Sequence, residues 1–471
     1  MTSPSFDRNP PPMASTRTIV MKFGGTSMKD ADTIRKSAAI ACSSAPDRAV
    51  VAVVSAMDQV TELLIELGDA ASADSRAAVH ALMSQLRARH EAAARAIGGA
   101  VPEQMNAALD RLDRLVSGIN AVGELTPRSR DAVVGYGERL STLLMAGAMN
   151  CRGFTGQDAG LVTNDHFGKA EPLMDLSLYQ LRTNLQPLID RGERVVVSGF
   201  IAATQNGVAT TLGRGGSDYT ACILGAALKA EEIWIWSDVD GLMSADPRTV
   251  PAAKLLESVT FAEAIEMGQF GAKSMHPLAL EPAAEHGIPV RFRNTFNTQS
   301  PGTRIIPEPP DAQRGTPVKC VLLLKNAALL TVSGAAMIGR PGTASQVFRA
   351  LADANVNIMM ISQGVSEAGI SIVVLRDHAE RARAVLERTL MRAGVAKAVS
   401  LMDQVGVVAA VGSGIHGTPG ITARVFTAAA QRNINVIAIA QGSSELSISF
   451  VTSAADGPEA VKALHAEFIG A

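Results

Sequence analysis

Beyond residue 317 the chain repeats itself, and that doubling limits its possible folds more than any other feature of the sequence. Met337-Ile338-Gly339-Arg340-Pro341-Gly342-Thr343 precedes a helix-like run to Ala354. Asn355-Val356-Asn357-Ile358, Ile361-Ser362-Gln363-Gly364-Val365-Ser366-Glu367 and Ile370-Ser371-Ile372 follow. The second copy has Gly417-Thr418-Pro419-Gly420, a helix to Arg432 and Asn433-Ile434-Asn435-Val436. It closes with Ala440-Gln441-Gly442-Ser443-Ser444-Glu445 and Ile448-Ser449-Phe450. Each copy predicts strand, helix, strand, hairpin, strand and a helix rich in Ala and charge, a βαββαβ unit of the ferredoxin-like kind. Turn chemistry explains the Gly and Ser of the hairpins but not a Gln shared by both.

The first part of the chain has a different grammar, in which apolar strands run into glycine turns. Thr18–Phe23 predicts a strand that leads into Gly24-Gly25-Thr26-Ser27, after which Asp30 opens an amphipathic helix. Strand, glycine turn and helix together can cradle a phosphate, though not as a Walker loop, because Lys22 precedes the glycines. Ala49–Val54 is almost wholly apolar, as expected of a strand covered on both faces, and it ends at Ser55-Ala56-Met57. From Glu62 to Asn120 the pattern is helical with alternating charge. That is a solvated face with no chemistry assigned.

Asp131–Asn150 predicts another helix, in which Gly135 and Gly137 each cost about 1 kcal/mol. Such glycines mark close approach by a neighbouring backbone or a ligand. Glu138 is the carboxylate of interest there, although the helix alone favours a surface glutamate paired with Arg139 or a neighbouring helix. A strand over Arg194–Ser198 is followed by the Gly-rich stretch Thr211–Ala221 and a helix-like run, Thr220–Leu228. Glycines let a ligand approach the backbone, and a helix N-terminus favours an anion. Ser217 or Asp218 can also simply cap that helix. The next strand, Glu232–Trp236, ends in Ser237-Asp238-Val239-Asp240-Gly241, with Asp246-Pro247-Arg248 beyond. Polar residues at a strand's C-terminal end are where open α/β sheets hold ligands. Phe261–Ala284 is helical with a break at Phe270–Pro277, where His276 reads as a structural helix start. Ile288–Phe292 is the last strand of this part, and Pro301–Pro317 is a linker.

A length of 471 residues allows roughly three domains. Acidic and basic residues nearly cancel (45 against 43), which argues against nucleic acid or an anionic membrane as partner. The four cysteines form no ligand pair and read as buried thiols of a reducing compartment. The Pro- and Ser-rich start has no apolar core of a signal peptide, and no apolar run can span a bilayer. A cytoplasmic protein is expected.

The motifs Lys22-Phe23-Gly24-Gly25-Thr26-Ser27, Gly137-Glu138, Thr211–Ala221, Ser237–Gly241 and Lys273 with His276-Pro277 stand in one order. With the paired repeats, they closely resemble the aspartate kinases of the amino-acid kinase family, whose catalytic domain precedes two ACT domains. The resemblance covers nearly everything from Thr18 onwards. It implies an α/β chain: a three-layer αβα sandwich of the amino-acid kinase type, followed by two ferredoxin-like ACT domains. The expected division is a disordered lead (1–16), a catalytic domain (17–300), a linker (301–317) and ACT domains at 318–400 and 401–471. The ACT units can be nested in the chain, with Val318–Leu324 exchanged between them.

By the same resemblance the chain phosphorylates the β-carboxylate of L-aspartate with ATP, giving 4-phospho-L-aspartate. Lys22 would contact the transferred phosphoryl group, Asp218 would orient the lysines, and Gly24, Gly25, Gly215 and Gly216 would cradle phosphates. Ser237, Asp238, Arg248 and Lys273 would line the nucleotide. Arg214 would anchor a substrate carboxylate, Glu138 would take its ammonium, and Ser55, Thr61 and Ser217 would add hydroxyl contacts. Mg²⁺ would ride on ATP oxygens, with no protein ligand. Ser237 stands where the family often has Thr, and Met243 where several relatives have a Tyr near the adenine.

The hairpin of threonine-responsive relatives reads Gln-x-Ser-Ser-Glu. Gln441 and Ser444 fit it, while Gln363 and Ser366 sit in a copy with Val365 in place of one serine. Threonine inhibition is expected, with lysine, both together or insensitivity as alternatives, and a homodimer or larger assembly through the ACT domains. The rivals are an amino-acid sensor with an inactive kinase domain, and a kinase for another substrate such as glutamate or carbamate.

Overall fold

The computed structural model describes residues 17–43, 47–270, 276–307 and 317–470. They fall into two compact units, Met1–Gly241 with Met275–Pro307 and Leu242–Ser274 with Glu308–Ala471. The expected disordered lead, most of the linker and Lys273 lie outside the described residues.

The chain begins with β1 (Thr18–Phe23), α1 (Ala31–Ser43), β2 (Ala49–Val54), α2 (Val60–Ser72), α3 (Arg76–Gly98), α4 (Glu103–Val122), α5 (Pro127–Val134) and α6 (Tyr136–Met149). It continues through β3 (Arg152–Phe154), α7 (Gly156–Ala159), β4 (Val162–Thr163), α8 (Met174–Asp190), β5 (Val195–Ser198), β6 (Ile201–Thr204) and β7 (Ala209–Thr211). Next come α9 (Gly216–Leu228) and β8 (Glu232–Ser237). After them β9 (Ser258–Thr260) and α10 (Phe261–Gln269) belong to the second unit. The first unit closes with α11 (Pro277–Glu285), β10 (Val290–Asn294) and β11 (Thr303–Ile306).

Its main sheet runs β3-β5-β2-β1-β8-β10-β11, parallel except where β11 turns back along β10. β1 and β2 are buried almost throughout, as their unbroken apolar sequences require. One face packs under α1–α4 and α6, where Phe23, Ile34, Leu64, Leu109 and Trp236 share a core. On the other face α9 lies against β1 and β8, so close that a Cβ on Gly225 would stand 2.5 Å from Ile233. Helices on both faces of a mostly parallel sheet make the three-layer sandwich. The stretch Thr303–Ile306, expected to be linker, is instead strand β11, paired with β10 through Val290 and Ile305. The helix expected over Asp131–Asn150 is two helices, divided at Gly135.

In the second unit, β12 (Cys320–Ser333), α12 (Thr343–Asp353), β13 (Met360–Gln363), β14 (Gly369–Leu375) and α13 (Ala379–Leu386) lead into β15 (Ala398–Val411). The second copy follows with α14 (Ile421–Ala430), β16 (Ala438–Gln441), β17 (Ser447–Ser453) and α15 (Gly457–Phe468). One antiparallel sheet runs β13-β14-β12-β15-β17-β16. β12 and β15 are long and serve both copies. Val318 and Val321 are buried with Val408, Val425 and Phe450 of the second copy, while Leu330 and Val332 are buried with Val347 and Ile372 of the first.

Candidate functional site

The C-terminal ends of β1 and β2, the start of α6 and the loop between β7 and α9 enclose a cavity of about 410 Å³. Lys22, Gly25, Ser55, Thr61, Glu138, Arg214, Gly215, Gly216, Ser217 and Asp218 all line it. Ten of the residues expected at the site are therefore brought together from four separate stretches of chain.

Lys22 and Asp218 form an ion pair at 2.6 Å, with side chains 12% and 15% exposed. The lysine comes from a central strand and the aspartate from the first turn of α9, where carboxylates are favoured. Gly24 closes against β8, its N–H donating to the Trp236 carbonyl at 3.3 Å, so the glycine turn is tied to the strand that ends in Ser237. Asp238, at the end of that strand, is exposed.

The loop before α9 is fixed by packing. Gly215 has φ 76°, a conformation glycine adopts freely, and a Cβ there would stand 2.6 Å from the Cβ of His276. Gly216 would meet Phe200 at 2.8 Å. Gly215 is also the N-cap of α9, which begins at Gly216. Ser217 and Asp218 are thus inside the first turn, and neither caps the helix as the sequence allowed. His276 does start a helix: it is the N-cap of α11, with Pro277 next. Burial lowers its imidazole pKa, helped by the charges of Lys169 and Arg214.

Glu138 is buried, 4% exposed. One carboxylate oxygen accepts the Ala56 N–H at 3.1 Å, while the other, Oε2, has no protein partner. Burial raises its pKa to about 8, against the opposing pull of that hydrogen bond and of Lys22. The plain reading of a surface glutamate paired with Arg139 is overturned. The glycine beside it has a packing cause, since a Cβ on Gly137 would stand 2.7 Å from the Cβ of Ala56.

Asp131 was not singled out in the sequence, yet it anchors the loop. Its carboxylate accepts the N–H groups of Gly168 and Thr211 and the Thr211 hydroxyl, each at 2.9 Å. Burial raises its pKa, and those three hydrogen bonds oppose the rise. The signal available in sequence was only an acid in an apolar helical run.

Of the other expected residues, Arg248 belongs to the second unit, where its guanidinium grips the Asp246 carboxylate at 2.7 and 3.0 Å. Gln363, Ser366, Gln441 and Ser444 are exposed on the two hairpins. The glutamates shared by the hairpins hold backbone in place. Glu367 accepts the Gly339 N–H at 2.9 Å and Glu445 the Gly417 N–H at 2.7 Å. Each pins a glycine loop to its hairpin.

The sequence profile of the amino acid kinase family matches residues 17–294, and that of the ACT domain matches residues 330–390 and 408–468. Over 95% of its length the chain is 33% identical to the chloroplastic bifunctional aspartokinase/homoserine dehydrogenase 2 of Arabidopsis thaliana, of which it covers 50%. It spans about half the length of these bifunctional relatives. It is 30% identical over 96% of its length to the chloroplastic aspartokinase 2 of the same plant, covering 84% of that protein. Its fold matches E. coli aspartokinase III, 28% identical, solved with lysine and aspartate (TM-score 0.80) and with aspartate and ADP (TM-score 0.79). These likenesses cover 96% of this chain, and 99% and 100% of the respective E. coli chains.

Proposed function

Because the chain belongs to the amino acid kinase family, in its aspartokinase group with paired ACT domains, we propose that it transfers the γ-phosphoryl group of ATP to the β-carboxylate of L-aspartate. The observation that carries this reading is the shared cavity, in which Glu138, Arg214 and the Lys22–Asp218 pair face one space. A zwitterionic dicarboxylate needs an anion for its ammonium and a cation for a carboxylate. The free Oε2 of Glu138 suits the first and the guanidinium fork of Arg214 the second. Ser55, Thr61 and Ser217 add hydroxyls around the same space.

In the proposed reaction a β-carboxylate oxygen forms a bond to the γ-phosphorus. The bond from that phosphorus to the β,γ-bridging oxygen breaks, and its electron pair leaves with ADP. The nucleophile is already ionised at neutral pH, so no general base is needed. Catalysis is then positioning and charge stabilisation. Lys22 offsets the charge of the transferring group, Asp218 holds that lysine in place, and the glycine turns at Gly24–Gly25 and Gly215–Gly216 are assigned to the phosphates, with the Gly24 and Gly216 N–H groups themselves bonded to the Trp236 and Gly213 carbonyls. Ser237, Asp238, Arg248 and Lys273 are assigned to the nucleotide. Mg²⁺ would be carried by the nucleotide's oxygens, with no protein ligand assigned, and would supply neutralisation of the polyphosphate charge.

Threonine is the proposed inhibitor, on the strength of Gln441 and Ser444 in the second hairpin. Lysine, bound by E. coli aspartokinase III, is the rival. Ile361 and Ile439 are exposed on the outer strands β13 and β16 of the second unit's sheet, which supports assembly of copies through those edges. Among the described residues no helix is long and apolar enough to cross a membrane.

The test is trapping of the acyl phosphate with hydroxylamine, using ATP with L-aspartate and then with L-glutamate. Hydroxamate from aspartate alone is expected. None from aspartate would sink the kinase reading and favour the sensor.

A further inference from the structure

The first unit holds a second cavity, of about 440 Å³, with no lining residue in common with the one around Lys22. Arg48 stands just before β2, Glu231 just before β8, and Glu232 is the first residue of β8. These are the N-terminal ends of strands, whereas the cavity around Lys22 is built on C-terminal ends. Arg291 and Arg293 of β10 and Arg304 of β11 complete the lining with Trp234.

Strand geometry gathers these side chains. Successive residues of a strand point to opposite faces, so Ile233 packs on Gly225 of α9 while Glu232 and Trp234 meet on the other side. β10 runs in register beside β8, with Arg291 next to Trp234 and Arg293 next to Trp236. On its other side Arg291 stands directly opposite Arg304 of β11, and like charges so placed work against the pairing.

The carboxylates offset only half of this charge, four guanidinium groups against two acids. Arg48 grips Glu231 through Nε and a terminal nitrogen at 2.8 and 2.9 Å, which makes a neutral pair. The other three guanidinium groups have Glu232 alone among them. Its buried carboxylate accepts Arg291 at 3.1 and 3.2 Å, Arg304 at 3.1 Å and the Trp234 Nε1–H at 2.6 Å. Arg304 reaches it through Nε, and among the described residues its two terminal nitrogens have no hydrogen-bond partner.

Arg293 has no carboxylate partner among the described residues. It lies over the rings of Trp234 and Trp236, 5.0 and 4.7 Å from their centroids. One terminal nitrogen donates to the Thr298 carbonyl at 3.1 Å, and the buried Nε is left without a partner. Burial and the nearby charge of Arg291 lower its pKa from the ordinary arginine value. Two surplus positive charges and several unused N–H donors thus face one space. Guanidinium forks match carboxylates and phosphates, and a phosphate group carries close to two negative charges at neutral pH. A monocarboxylate would offset only one of the two.

We propose that this cavity binds a dianionic phosphate group, received by Arg293 and by the terminal nitrogens of Arg304. Its source is either inorganic phosphate or a small phosphate monoester.

The chain has two tryptophans, and both lie under Arg293, so their fluorescence reports on the site. The full-length protein, with ADP and L-aspartate present to fill the other cavity, is titrated with sodium phosphate and separately with glycerol 3-phosphate. Sodium chloride keeps the ionic strength constant. Calorimetry should show saturable one-to-one binding with a dissociation constant below about 1 mM, and the fluorescence should change with the same midpoint. Arg293→Met and Arg304→Gln should each weaken binding about tenfold or more, the scale of a lost charge-assisted hydrogen bond. The Arg304 side chain is 46% exposed, so its variant tests the site even if loss of Arg293 disturbs the tryptophan packing. Tighter binding of inorganic phosphate assigns the site to the free ion, and tighter binding of glycerol 3-phosphate assigns it to a monoester; either supports the proposal. No saturation by either probe up to about 10 mM, or a response that sodium chloride alone reproduces, overturns it. So does wild-type affinity in Arg304→Gln, which would place the phosphate elsewhere.

Discussion

The pKa of Glu138 gives a prediction with a defined slope. In the empty cavity its carboxyl titrates at about 8, because burial leaves Oε2 without a protein partner. A substrate ammonium binds the ionised form, which at pH 7 is about one-tenth of the population and costs about 1.4 kcal/mol of affinity. The apparent KM for aspartate should then scale as one plus the ratio of neutral to ionised Glu138. It should fall roughly fiftyfold between pH 6 and pH 8 and flatten above. At pH 7, binding should release about nine-tenths of a proton. Steady-state hydroxamate assays across this range give the slope, and calorimetry in two buffers of different ionisation enthalpy counts the proton. Glu138→Gln should bind aspartate weakly at every pH and lose the slope. A wild-type KM constant within about twofold from pH 6 to 8, or an equal slope in the variant, would refute the assignment of Glu138 to the ammonium.

Three further changes separate the roles in the cavity. Lys22→Ala should lower kcat by about 100- to 1,000-fold, the scale of losing one transition-state donor, with the fold intact by circular dichroism; near-normal turnover would remove Lys22 from the site. Asp131→Ala strands two N–H groups and a hydroxyl and should lower stability in urea unfolding by about 3 kcal/mol. A loss under about 0.5 kcal/mol would mean that the loop does not depend on it. Gly215→Ala combines an unfavourable φ with a contact against His276, worth about 1–3 kcal/mol, and should raise KM for ATP more than for aspartate. The opposite order would place that loop on the amino acid.

What the sequence made legible follows from how far apart the interacting residues lie. β1 and β2 could be placed to the residue because a strand covered on both faces needs an unbroken apolar run, and Thr18–Phe23 and Ala49–Val54 are such runs. The glycine-rich loops were legible because their glycines are consecutive. Glu138 was harder. Its burial depends on Ala56, which takes up the space above Gly137, and nothing in α6 itself reports that neighbour. Asp131 was missed for the same reason, since its partner Thr211 is 80 residues away. β11 was masked by Pro301 and Pro307 at its borders, which read as linker but lie just outside the strand, where no ladder hydrogen bond is lost.

The segment Leu242–Ser274 is the strongest case. Its helix and turns are ordinary in sequence, and only the partners of Ser244, Glu263 and Glu266 place it with the second unit. Local pattern therefore gives the residues of a site, whereas the placing of this segment depends on pairings between distant residues. Two ACT copies nearly alike in their hairpins still differ in these pairings, because one has Ser447 and a paired Lys319 where the other has Gly369 and an exposed Lys397. The hairpin motif alone makes the copies look equivalent, but their contacts with α10 do not.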